Sequence, residues 1–247
     1  MALNAKPYLQ RVSVRWNEVT DGEHYPFSVP AVRNLDHLEF HPDVTFLVGE
    51  NGSGKSTLLE AIAVALGFGA EGGTRNVRFE TASTISDLHV YLKLVRSFKK
   101  PKDHYFLRAE SFYNVATYMD EAGYLDGYGG KSLHQRSHGE SFMSLLTDKL
   151  RGNGLYLLDE PEAALSPTRQ LAALRAIHQL VVDQSQFIIA THSPILLAYP
   201  RAKIMLLDGS GITQVGYEDT EHFAVTRDFL NHYQGRIEAL LADDEDA

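Results

Sequence analysis

Cysteine is absent from the 247-residue chain, which excludes disulfides, zinc–thiolate sites and thiol nucleophiles together. No stretch of the sequence approaches the ~18 consecutive apolar residues that a membrane span requires. The opening Met-Ala-Leu-Asn-Ala-Lys-Pro lacks a basic-then-apolar run, so no secretory signal is expected. Internal repeats, low-complexity tracts and Pro/Gly/Ser linkers are also missing, and one domain over residues 1–247 is expected. Positive charge is in deficit: the net charge is -9, which argues against nucleic-acid binding through overall charge and leaves only a local basic patch for that role. With 44% hydrophobic and 22% charged residues the balance is that of a folded globular chain rather than a disordered one. A cytoplasmic protein with oxygen- and nitrogen-ligand chemistry remains.

Patterning along the chain predicts short β-rich runs over 8–16 and 25–32, separated by the turn Thr20-Asp21-Gly22-Glu23. The apolar run 44–48 stops at glycine, as a buried strand feeding a loop does, and a helix follows over 56–66, ended by Gly67 and Gly69. Strict alternation over 88–94, a Lys-Lys-Pro-Lys-Asp turn and a second strand over 105–110 together predict a hairpin. Helices are expected over 111–118 and 141–150 on either side of the glycine-rich 123–130, then a buried strand over 155–158. Ser166-Pro167 caps a long amphipathic helix to about Val182. A strand over 187–190, a hairpin of 203–207 with 212–215, a helix over 224–241 and an acidic tail from Asp243 to Asp246 complete the chain. Strands alternating with helices after the glycine loop imply an α/β fold: a mainly parallel sheet carrying an antiparallel β lobe.

Four short segments carry chemistry. Gly49-Glu50-Asn51-Gly52-Ser53-Gly54-Lys55-Ser56 satisfies G-x-x-x-x-G-K-[ST] between a strand and a helix, the context a phosphate-binding loop requires. Glycines let successive backbone N–H groups turn inward around phosphates beside a positive helix N-terminus. Lys55 reaches the β/γ-phosphates and the Ser56 hydroxyl is a Mg²⁺ ligand. Leu155-Tyr156-Leu157-Leu158-Asp159-Glu160 is a buried strand ending in two carboxylates, the first suited to Mg²⁺ and the second to a general base acting on water. Ala190-Thr191-His192-Ser193-Pro194 ends the next strand, one crossover helix later, which places His192 beside the carboxylates and near a γ-phosphate. Arg136-Ser137-His138-Gly139-Glu140-Ser141 opens a helix ahead of the carboxylate strand, with Ser and Gly at its N-terminus.

In this order, the four segments resemble the ATP-binding-cassette (ABC) ATPase superfamily, most closely its soluble RecF-, SMC- and Rad-type branch of AAA/ABC heads and small stand-alone bacterial relatives. The resemblance makes Gly49 to Ser56 the Walker A loop, with Thr57 added to the phosphate-binding set, and Ser137, Gly139 and Glu140 the signature motif. It makes Asp159 and Glu160 the Walker B pair, His192 the switch histidine and Ala163-Ala164-Leu165-Ser166 the D-loop. It implies a P-loop ABC-ATPase head with a small helical subdomain over about 111–152, ATP and Mg²⁺ as ligands, hydrolysis to ADP and phosphate, and an ATP-dependent head-to-tail homodimer. The signature here reads Arg-Ser-His-Gly-Glu rather than Leu-Ser-Gly-Gly-Gln, and no Q-loop glutamine stands after the strand ending near Ala109; Glu110 occupies that place. Tyr25 or Phe27 is either an adenine-stacking ring or a core residue of the β lobe. The interval between Lys55 and Ser137 is too short for a long coiled coil, which excludes an armed SMC architecture. Two processes compete: a soluble switch acting on DNA or an effector protein, and the nucleotide-binding subunit of a transporter with a membrane permease. The altered signature, the absent Q-loop glutamine and the Ser-Pro after His192 favour the first. Lys99, Lys100 and Lys102 form the best basic patch, read as a solvated turn or a phosphate-backbone contact. The remaining histidines show no helical metal-ligand spacing.

Overall fold

The computed structural model describes residues 6–74, 86–112, 117 and 137–242. The helix expected over 111–118 falls largely outside these residues, and the glycine-rich 123–130, Arg136 and the acidic tail fall wholly outside them. A six-stranded sheet in the order β5-β6-β7-β3-β8-β9 forms the centre. Its strands are β3 (Val44–Val48), β5 (Asp103–Arg108), β6 (Gly154–Asp159), β7 (Gln186–Ala190), β8 (Ala202–Asp208) and β9 (Gly211–Val215). All neighbours are parallel except β8 and β9, which form the expected hairpin. A three-stranded antiparallel lobe, β2-β1-β4, is built from β1 (Leu9–Val14), β2 (Leu38–Glu39) and β4 (Leu92–Arg96). No helix among the described residues is long and apolar enough to cross a membrane.

The central strands are buried on both faces, which is why they read as continuous apolar runs. Along β3, Val44, Phe46 and Val48 enter one core and Leu47 the other; along β6, Tyr156 and Leu158 part from Leu155 and Leu157 in the same way. On one face pack α4 (His138–Ser144), the π turn Leu145–Lys149, α5 (Pro167–Val182) and α6 (Pro194–Leu197). On the other lie α2 (Lys55–Ala65) and the β lobe, with α1 (Pro30–Arg33) and α3 (Leu88–Tyr91). The last helix, α7 (Glu221–Ala242), breaks at His232 and buries none of its side chains.

Two expectations are overturned. The hairpin of 88–94 with 105–110 does not form: 88–91 is a helical turn, β4 pairs with β1 in the lobe, and β5 joins the central sheet beside β6. The reason lies in β5, whose Tyr105 and Leu107 enter one core while Phe106 enters the other. A strand apolar on both faces gains more between two layers than in a one-faced ribbon. The run over 25–32 is a turn leading into α1 rather than a strand. Pro26 and Pro30 have no N–H to give a ladder, and Pro30 serves instead as the first helical residue.

Phe27 belongs to the core. It is fully buried, edge-on to Trp16 at 6.0 Å and to Tyr91 at 5.3 Å between ring centroids. Tyr25 is 60% exposed, and its hydroxyl lies 3.1 Å from Thr57 Oγ1. Of the two rings, Tyr25 alone is free to meet a ligand. Phe27→Ala is expected to lower stability by about 3–5 kcal/mol, seen as a reduced urea midpoint. Unaltered stability with weakened nucleotide binding would return the ring to the site.

Candidate nucleotide site

The site is assembled at the carboxyl ends of three adjacent strands. Register places Ala190, at the end of β7, opposite both Leu47 of β3 and Asp159 of β6. The loops after these strands therefore share one rim, as the crossover rule required. After β3 the chain turns through Gly49 (φ 148°), Gly52 (φ 82°) and Gly54 (φ 98°) into α2. A Cβ at Gly49 would lie 2.2 Å from the Leu207 carbonyl oxygen, and one at Gly54 2.7 Å from Val29 Cγ1. Both positions demand glycine for space as well as for torsion.

Lys55 opens α2 and is buried at 4% exposure. Its ammonium curls into the loop, donating to the Gly49 and Glu50 carbonyls at 2.8 Å each. Burial pushes its pKa down, against the pull of Glu160, Asp159 and Glu162. Ser53 Oγ is enclosed and has no hydrogen-bond partner among the described residues. Ser56 Oγ donates to Asp159 Oδ1 at 3.0 Å, joining the glycine loop to the carboxylate strand. Asp159 is 6% exposed, and burial raises its carboxyl to about 6. The Ser56 bond and Arg108 oppose that rise, while Glu160 and Glu110 add to it. Glu110 itself is exposed and pairs with Arg108 at 3.3 Å.

Glu160 adopts a left-handed backbone (φ 50°), and its N–H donates to the Ala190 carbonyl at 2.9 Å. A non-glycine residue held there carries strain of order ~1 kcal/mol, and the turn frees its side chain toward the rim. Glu160 Oε1 stands 3.9 Å from His192 Nε2. Behind it, Glu162 clamps the loop after β7, accepting from Thr191 Oγ1 at 2.7 Å and from the His192 N–H at 2.6 Å. Ser193 caps α6 through the Leu196 N–H at 3.1 Å, so both sides of His192 are fixed. A cavity of about 460 Å³ is lined by residues 49–53, the end of β8 and residues 219–222. A second, of about 480 Å³, lies between Glu50, Asn51, His192 and the start of α7.

The order along the chain is glycine loop, capped helix, carboxylate strand and His192, on a mainly parallel sheet with an antiparallel lobe. Residues 27–121 match the family model described as AAA domain. Over that stretch the chain is similar to an AAA domain. No curated protein matches the sequence. Among solved structures, the ATP-binding cassette of an ABC transporter in its ADP conformation aligns over 74% of this chain and 84% of its own, at 19% identity and a TM-score of 0.44. The SMC head domain from Thermotoga maritima aligns over 84% of this chain and 99% of its own, at 16% identity and a TM-score of 0.46. Structure cbiO1 from Clostridium perfringens, part of the ABC transporter complex cbiONQ, aligns over 84% and 91%, at 17% identity and a TM-score of 0.45.

The residues expected to form a signature motif stand apart from the glycine loop: Ser137, Gly139 and Glu140 line neither cavity. Ser137 and Glu140 instead form a capping box at α4, and Arg169 of α5 reaches Ser137 Oγ at 3.2 Å and Glu140 at 3.5 Å. A Cβ at Gly139 would lie 2.9 Å from the Ala164 carbonyl oxygen and 2.4 Å from Arg169 Nη1, so this glycine leaves room for the backbone of the turn after β6. Three residues at the rim escaped the sequence reading: Arg108, Glu162 and His222. Arg108 lies at the end of the strand paired with β6, with Nε 4.0 Å from Asp159 Oδ2 and Nη1 2.6 Å from Glu60.

The raised Asp159 pKa has a stability consequence. Between the ordinary value of 3.8 and about 6, the folded state keeps a proton that the unfolded state has lost, so stability falls as pH rises through that window. Asp159→Asn retains an acceptor for Ser56 without the charge. In metal-free buffer it is expected to be more stable than the parent at pH 7.5, by on the order of 3 kcal/mol, with the gain gone below about pH 4. Urea titrations at both pH values check this; equal gains at both would place the cause elsewhere.

Proposed function

We propose that the protein binds MgATP and hydrolyses it to ADP and phosphate, as a single cytoplasmic domain that pairs with a second copy when ATP is bound. The observation that carries this reading is the Ser56–Asp159 hydrogen bond, with the Lys55 ammonium and the Glu160 carboxylate on the same rim. The residues fit the expected ion. A hydroxyl and a carboxylate oxygen are hard ligands, and the described residues hold no self-contained cluster of three or more His, Asp or Glu. Magnesium is characteristically held by one or two protein oxygens and shares the rest of its shell with phosphates and water. When bound, the ion supplies charge neutralisation on the β- and γ-phosphates.

The chain's own groups do the remainder. Glycine-loop N–H groups and the α2 N-terminus receive the phosphate oxygens, flanked by Glu50, Asn51, Ser53 and Thr57. Lys55 brings a desolvated positive charge, stronger here than in water. Glu160 accepts the proton of the water that attacks the γ-phosphorus as the bridging oxygen leaves with ADP. His192 presents Nε2 toward the transferring group. The partner's Ser137, Gly139 and Glu140 would close the open side of the nucleotide. The reading favours DNA or an effector protein over a permease as the object of the cycle, because Glu110, where the transporter glutamine would be, is exposed and tied to Arg108. Phosphate release from ATP by the purified chain tests it: release that needs magnesium supports the assignment, and none at any magnesium concentration overturns it.

A further inference from the structure

His192 and His222 share a hydrogen bond. His192 Nδ1 and His222 Nε2 are 3.0 Å apart, with ring centroids at 5.1 Å and planes inclined by 50°. His222 is the second residue of α7, and the start of that helix is fastened to the element that follows the switch loop. Tyr217 donates to the Pro194 carbonyl at 2.9 Å and packs on Phe223 at 4.6 Å, while buried Thr220 accepts from the Phe223 N–H at 3.3 Å. His222 thus reaches His192 from a fixed base.

A neutral imidazole has one N–H, so the bond determines the tautomer of both rings. Burial lowers both pKa values, with Lys55 adding to the effect on each, so both rings are neutral at pH 7. If His192 donated from Nδ1, its bare Nε2 lone pair would face the Glu160 carboxylate 3.9 Å away. The reverse order puts a proton on Nε2, which is enclosed and has no hydrogen-bond partner among the described residues. A donor left over at that atom suits an incoming phosphate oxygen.

We infer that His222 is a positioning residue: it donates from Nε2 to His192 Nδ1 and so holds the switch histidine as the Nε2–H tautomer, aimed at the γ-phosphate. The direction toward phosphate rests on the ATPase reading; the tautomer does not. Through this bond the first turn of α7 takes part in the site, although it lies thirty positions beyond His192.

The test uses the full chain. Long-range ¹H–¹⁵N spectra of the imidazoles, without nucleotide, should show His192 protonated at Nε2 in the parent and a mixed or Nδ1-protonated ring in His222→Phe. His222→Gln, whose side-chain amide can donate in place of the imidazole, should restore Nε2 protonation. In MgATP assays His222→Phe should lower kcat between about 10- and 100-fold with little change in KM, and His222→Gln should recover most of it. An Nδ1-protonated His192 in the parent overturns the assignment, as does a tautomer that His222→Phe leaves unmoved. If no variant hydrolyses ATP but the tautomer follows His222, the ATPase reading falls and the positioning role stands.

Discussion

Lys55→Ala should weaken ATP binding by about 100-fold or more while leaving the melting temperature close to that of the parent. The two halves of this expectation have separate causes. Among the described residues, Lys55 is the one cation whose charge is held inside the glycine loop, and its hydrogen-bond partners there are the Gly49 and Glu50 carbonyls. Those bonds are replaceable by water, because the loop borders open cavities. The ammonium is itself held at a cost, since burial lowers its pKa, so its loss removes a desolvation penalty along with two hydrogen bonds. Phosphate recognition has no such substitute: an alanine at the first position of α2 leaves the backbone N–H groups but no mobile positive charge. Calorimetry with ATP measures the first half and a thermal melt the second. Equal affinity in variant and parent would remove the phosphate-binding assignment of the loop, whatever its sequence.

Why some of this was legible in the sequence and some was not follows from the range of the interactions. The loop from Gly49 to Ser56 could be read because each requirement is local: positive φ at the glycines, a strand before and a helix after. Asp159, Glu160 and His192 could be placed together because two parallel strands joined by one helix have few alternatives, and β6 and β7 are indeed neighbours. The partner of β5 could not be read, since alternation describes faces and not neighbours, and β4 and β5 differ chiefly in having one or two of them covered. Glu162 is a third carboxylate directly after a pair already assigned, and only the register of β6 against β7 turns it onto Thr191 and His192. His222 is one of 11 histidines, at the head of a helix whose pattern speaks of its own apolar stripe and not of what its first turn touches. Long-range hydrogen bonds of single side chains leave no periodic trace.

Glu160→Gln should bind MgATP, turn it over at least ~10²-fold more slowly and accumulate as a dimer, whereas the same protein with Ser137→Arg should bind ATP and remain monomeric. The amide keeps the shape of Glu160 and can still donate or accept a hydrogen bond at the rim, but it cannot take the proton of an attacking water. The pair then persists with its nucleotides intact. The proposed pairing is built on the geometry of one chain. Ser137 and Glu140 are exposed, locked into the cap of α4 and fixed from behind by Arg169. Neither lines the cavities beside Glu50, Asn51 and His192, so in the proposed pair this rigid seat would meet the nucleotide of the other copy. An arginine at 137 projects bulk from that seat and removes the cap, and cap loss alone costs about 1 kcal/mol. Ser137→Ala in the same Glu160→Gln background separates the two effects, because it loses the cap without adding bulk. Light scattering with MgATP, with MgADP and without nucleotide reads the outcome. A dimer with ATP alone, retained in large part by Ser137→Ala and abolished by Ser137→Arg, places Ser137 on the mating surface. Undiminished pairing of the arginine variant would move that surface elsewhere, and the capping box of α4 would then be a structural device of its own chain.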